Sequence, residues 1–273
     1  MSKKQFLNKK SKREKIIQKK NGKDKRENNN DEITEETEDN IIIGMIKVGK
    51  YDNIEHRIIN SYEKAKEEEY YLNGDKNKEE IEDCEIFIND EEIYFRYYYD
   101  FYREGIYTIK YIFKKSFTST NYMFYKCNSL ISLDLSNFNT KNVTDTKYMF
   151  SGCKSLISIN LSNFNTQNVN NMQSMFYDCN SLISLDLSIF NTKNVNNMNK
   201  MFSHCNSLDS LDLSNFITEN VIDMSFMFSH CNSLISLDLS NFITPNLIYM
   251  NSLFYYCKSL KSLDISNKKC QIL

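Results

Sequence analysis

MFYKCNSLISLDLSNFNTKNVTDTKY, residues 123–148, is followed without a gap by MFSGCKSLISINLSNFNTQNVNNMQS (149–174) and MFYDCNSLISLDLSIFNTKNVNNMNK (175–200). The unit reads MFxxCxSLxSLDLSNFxTxNVxxMxx. Further copies open at Met201 and Met227, and Leu253 opens a shortened sixth. Cys127, Cys153, Cys179, Cys205, Cys231 and Cys257 keep the 26-residue period without an insertion. A fixed period of this length marks one supersecondary unit stacked on its own copies, so each column of the alignment reads as a ladder in space.

Leu130, Leu133 and Leu135 recur in every copy in their own or a conservative form and alternate with Ser132, Asp134 and Ser136. Period-two alternation predicts one short strand per copy, stacked in parallel at roughly 4.8 Å, with leucine inside and Ser-Asp-Ser outside. Val169, Met172, Met175, Phe176 and Cys179 step by three or four, which predicts a short helical or 3₁₀ return segment with one buried face. Two phenylalanine columns, Phe124 to Phe254 and Phe138 to Phe242, are expected to close the core at both bends. Stacked rings add about 0.5–1.5 kcal/mol per pair. Asn137, Thr140 and Asn142 recur at the turns with almost no glycine, so their side chains are expected to bond the backbone there. The fold class predicted is an α/β-type repeat solenoid, coiling right-handed around a parallel sheet.

The copies at Met123–Tyr148 and Met175–Lys200 resemble the repeats of BspA-like leucine-rich-repeat surface proteins. The resemblance covers Phe117–Ser266 and implies an adhesion or protein-binding solenoid with no catalytic residues to carry over. The bacterial relatives are exported, whereas Met1–Arg26 here holds twelve Lys or Arg against Glu14 and Asp24 and has no apolar run. No secretory signal is expected, which favours an intracellular place even though the resemblance suggests a cell surface.

Three regions are expected. Residues 1–40, basic and then acidic, lack the apolar groups to offset chain entropy and are predicted disordered. The basic arm reads as a solubilising tail, with a nuclear-import signal or a nucleic-acid or lipid tether as alternatives. Residues 41–116 read as a small α+β domain capping the first rung, with strands over 41–48, 85–88, 93–99 and 106–113. A helix is predicted from Ser61 to Leu72, ended by Asn73 and Gly74, with turns at Asn89-Asp90 and Gly105. Residues 117–273 are the repeats. At their far end Lys268 replaces the phenylalanine spine, and either Ile272 and Leu273 or a second molecule covers the core.

The chemistry is spare. His56, His204 and His230 are the only imidazoles, and no nucleophile motif or phosphate loop appears. No enzyme, cofactor or metal site is expected. The cysteine column reads as small buried hydrophobes with no C-x₂₋₄-C pair. The pairing of His204-Cys205 above His230-Cys231 is the one local exception. Residues 123–273 carry ten Lys and ten acids, so nucleic acid is not expected on the repeats. No apolar run approaches a membrane span.

The candidate ligand face is the outer column set Ser132, Asp134, Ser136, Ser184, Asp186, Ser188, Ser210, Asp212, Ser214, Ser236, Asp238, Ser240 and Asp264, broken at Asn160. Stacked carboxylates repel, which suits a protein, a hydroxyl-rich glycan or a divalent cation as partner; the plainer reading is that they keep an exposed sheet soluble. Ile131, Ile157, Ile183 and Ile235 run beside it as an interaction seam or as the shoulder of the core. Two functions are expected: a binding or adhesion scaffold, or an intracellular regulatory protein localised by its basic arm.

Overall fold

The computed structural model describes residues 40–50 and 54–267; the expectations for residues 1–39, Lys268, Ile272 and Leu273 lie outside them. The fold is mostly β with few helices, built on a mixed six-stranded sheet that does not close into a barrel. Along the chain run β1 (Asn40–Val48), β2 (His56–Arg57), α1 (Tyr62–Glu68), α2 (Lys78–Glu82), β3 (Glu85–Ile88) and β4 (Glu91–Ile93). There follow β5 (Tyr98–Tyr99), β6 (Gly105–Phe113), β7 (Leu130–Asn137), β8 (Ser158–Asn160), β9 (Ser236–Asp238) and β10 (Ser262–Asp264). The large sheet has the order β4-β3-β6-β1-β7-β8.

β1 joins the leading region to the repeats. It alternates buried Ile42 and Ile46 with exposed Ile43 and Met45, pairs antiparallel with β6 on one side and β7 on the other, and so occupies the edge of the first repeat strand. Gly44 sits opposite Leu133, whose methyl would stand 3.2 Å from any added Cβ. Glycine here permits the close strand approach.

α1 begins where Ser61 predicts it, with the Ser61 hydroxyl accepting from the Lys64 amide at 3.2 Å. It ends at Glu68, a turn earlier than Leu72. Asn89 and Asp90, at φ 47° and 66°, form the two-residue link between β3 and β4. The predicted strand over 93–99 divides into the ends of β4 and β5. α2 and β2 have no counterpart among the sequence expectations, and both are too short to leave a periodic signal.

Repeat copies lie in register. Parallel bridges run Ser119–Asp145–Asn171–Asn197–Asp223–Tyr249, each one period on. Phe124, Phe150, Phe176, Phe202, Phe228 and Phe254 stack in one file with centroids 5.4–6.0 Å apart. In the other phenylalanine column one pair stacks, Phe164 on Phe190. The cysteines of the repeats are buried except Cys257, and all seven described cysteines are free. From Cys153 to Cys257 each thiol donates to the phenylalanine carbonyl 29 residues earlier at 2.9–3.2 Å. Burial pushes the Cys153, Cys179 and Cys231 thiols well above their ordinary range, so they stay protonated donors.

The turn columns bond between copies. Thr140, Thr166, Thr192 and Thr218 each donate to a carbonyl 25 residues on, at 2.9–3.1 Å. Asn168, Asn194, Asn220 and Asn246 each donate 2.8 Å back to the preceding copy. Sequence reading places these side chains at their own bends, whereas most of their bonds tie one copy to its neighbour.

Two expectations are corrected. The return segment is a run of turns, with no helix: alternate amides bond three residues back, as Tyr125 does to Tyr122, while those between reach the next copy, as Phe124 does to Met149. A helix would use every amide internally and leave none for the neighbouring copy. The run closes through two left-handed columns, Tyr122 to Ser252 and Lys126 to Tyr256, in which Gly152 is the one glycine. Nor is the leucine sheet continuous. β7 pairs β8 and β9 pairs β10 in parallel, but residues 184–188 and 210–214 form no strand.

Candidate functional site

The outer face of the leucine strands carries the serine and aspartate columns. Asp134, Asp186, Asp212, Asp238 and Asp264, and Asn160 in the same column, each accept the amide of the serine two residues on at 2.8–3.1 Å. One carboxylate oxygen thus fixes the local bend, which an asparagine does equally well. The serine amide and hydroxyl hold the Asp186 and Asp212 carboxyls below their ordinary value; at Asp238 the Ser240 hydroxyl leads and the amide adds. All three are charged at neutral pH.

Where the ladder closes first, Asn160 Nδ2 donates to Asp134 at 3.0 Å, so an amide separates that carboxylate from the next. Asp212 instead has a carboxylate on each side, Asp186 and Asp238, and both oppose its ionisation. The sheet is open between β8 and β9, and charge alone is not the cause, since Asp238 and Asp264 face each other in the closed pair β9–β10. The opening is a groove of about 480 Å³ lined by Ser184, Leu185, Asp186, Ser210, Leu211, Asp212, Ser236 and Asp238. Leucine makes its floor, and carboxylates and hydroxyls make its rim.

Six of the expected face residues therefore meet in one groove: Ser184, Asp186, Ser210, Asp212, Ser236 and Asp238. Ser132, Asp134 and Ser136 lie in β7 and Asp264 in β10, outside the groove lining, while Ser188, Ser214 and Ser240 supply amides to its aspartates. Ile157, Ile183 and Ile235 stand exposed beside it. The imidazoles of His204 and His230 stack face to face at 4.2 Å and 11°. Ring lone pairs then lie in parallel planes and do not converge. Burial first, and His230 second, lower the pKa of His204.

Sequence reading misses the contacts that seat the leading region on copy one. Later copies offer carbonyls of the return run to amides of the copy before. In copy one the equivalent carbonyls of Asn121, Met123 and Tyr125 accept from Asn77 Nδ2 (2.8 Å), Asn60 N (2.7 Å) and Asn60 Nδ2 (3.2 Å). Both asparagines are buried. Nothing in their sequence neighbourhood distinguishes them from loop asparagines.

The same junction contains a buried acid. Burial raises Asp145 from 3.8 to about 6, against the Lys147 amide that holds its carboxylate at 2.9 Å. An acid raised on folding opposes stability once ionised: the penalty is absent below pH 3.8 and complete above about 6. Asn171 and Asn197 fill the same column and keep the equivalent bond. Asp145→Asn is therefore expected to stabilise the fold by about 2 kcal/mol at pH 7 and by nearly nothing near pH 4, read by urea melts at both.

Among the described residues no helix is long and apolar enough to cross a membrane. No curated protein and no solved structure matches the chain. The family described as Mycoplasma protein of unknown function, DUF285, matches over residues 108–210 and again over 182–271, each time across several 26-residue copies. With more than half of its 273 residues matched, and with that family associated with BspA-like repeat proteins, the chain belongs to the DUF285 family.

Proposed function

We propose that the repeats form a leucine-rich-repeat-like solenoid acting as a non-enzymatic binding scaffold, with a partner protein or glycan held on the Ser-Asp-Ser face. The observation that carries this reading is the groove over Leu185 and Leu211, rimmed by Asp186, Asp212 and Asp238. An apolar floor under a charged rim suits a lysine or arginine whose stem lies on leucine while its head meets a carboxylate. The exposed isoleucine seam extends the apolar contact.

The test is the full chain carrying Asp186→Asn, Asp212→Asn and Asp238→Asn together. Asparagine keeps the bend bond, as Asn160 does, so the melting temperature is expected to hold. Affinity for a hexalysine probe is expected to fall roughly tenfold or more, and the wild-type affinity to weaken with salt. Unchanged hexalysine binding in the triple variant would remove the face from the proposal.

A further inference from the structure

The two ends of the repeat stack differ in the polarity of their hydrogen bonds. Each return run but the last gives four amides to the run one period on; in the run over 224–230 these are Met224, Phe226, Phe228 and His230, bonded to the carbonyls of Tyr249, Asn251, Leu253 and Tyr255 at 2.7–3.0 Å. The equivalents in the last return run are Met250, Ser252, Phe254 and Tyr256, and among the described residues their amides meet no acceptor. At the opposite end Asn60 and Asn77 supply donors to the carbonyls of copy one. Whatever continues the stack past its last copy must bring acceptors.

Two further features lie around this row. Ile248, Tyr249, Met250, Tyr255 and Tyr256 are exposed, and Phe254 is only partly covered. The described part of the last copy is net positive: Lys258, whose ammonium stands 5.5 Å from the Tyr256 ring, and Lys261 are exposed, against the single acid Asp264. We propose that this end docks an extended segment of a partner polypeptide that carries apolar side chains alternating with acidic ones. Its carbonyls accept from the row at every second residue, its apolar side chains cover Ile248 and the tyrosines, and its carboxylates meet Lys258 and Lys261. A second copy of this chain presented by the same end is excluded on hydrogen-bond grounds, because a row of donors would face a row of donors.

The test uses amide exchange of the full chain followed by NMR, with the capped peptide acetyl-EVEVEVEV-amide as probe and acetyl-KVKVKVKV-amide as the charge control. In the free chain the amides of Met250, Ser252, Phe254 and Tyr256 are expected to exchange at least roughly a hundredfold faster than those of Met224, Phe226, Phe228 and His230. The acidic peptide is expected to slow those four by about tenfold or more, and the lysine peptide to leave them unchanged. Lys258→Glu with Lys261→Glu is expected to weaken acidic-peptide binding about tenfold without altering the melt. Three results would each overturn the proposal: protection of the four amides in the free chain, protection that grows with protein concentration alone, or no slowing at millimolar acidic peptide.

Discussion

Phe176→Ala is expected to lower the unfolding free energy by about 3–5 kcal/mol. Phe176 is fully buried and stacks on both neighbours in its file, Phe150 at 5.4 Å and Phe202 at 6.0 Å. Truncation leaves a void between two rings that the register of the copies above and below prevents from collapsing, so the cavity term adds to the lost transfer energy. Phe254→Ala provides the contrast. It has one ring neighbour, Phe228, and is only partly buried, so its expected cost is about 1–2 kcal/mol. Urea melts of the two variants check this, and equal costs would mean that the file does not act as a continuous spine.

Asn77→Ala is expected to cost about 2–4 kcal/mol. Its Oδ1 accepts from the Tyr62 amide at 2.9 Å and its Nδ2 donates to the Asn121 carbonyl, so alanine strands one donor and one acceptor in a buried place. Asn77→Asp does not rescue it, because the carboxylate keeps the bond to Tyr62 but turns a second oxygen on the Asn121 carbonyl. The loss is expected to be local as well as global. Amide protection falls first in α1 and copy one and last in the copies near Met201, because each coil is held by its nearest neighbours. Uniform loss across all copies would instead place the effect in the unfolded chain.

Much of this organisation is legible in the residues. The cysteine period and the leucine and phenylalanine columns lead directly to the buried core, and Ser61 and Asn89-Asp90 mark a helix start and a tight turn where the structure has them. The return run is ambiguous in the sequence for a reason of spacing: Met175, Phe176 and Cys179 bury one face equally well in a helix or in a series of turns. The left-handed positions that distinguish the two are held mostly by residues without a turn signature, such as Tyr148, Lys200 and Phe226, so Gly152 and Asp178 alone do not mark the columns. The opened sheet leaves no mark in the columns: Leu185 and Leu211 keep the alternation of Leu133 and Leu237, yet residues 184–188 and 210–214 form no strand. The asparagines that seat the leading region act on carbonyls 44 and 65 residues away, a separation that local pattern does not encode.

The buried sulfhydryls give the molecule an internal gauge. Cys127, Cys153, Cys179, Cys205 and Cys231 are shielded from water and held as neutral thiols, so an alkylating reagent reaches each one only after its own coil opens. Cys257, partly exposed, starts the count in the last copy. The order in which the others follow records, copy by copy, the direction in which the repeats unzip.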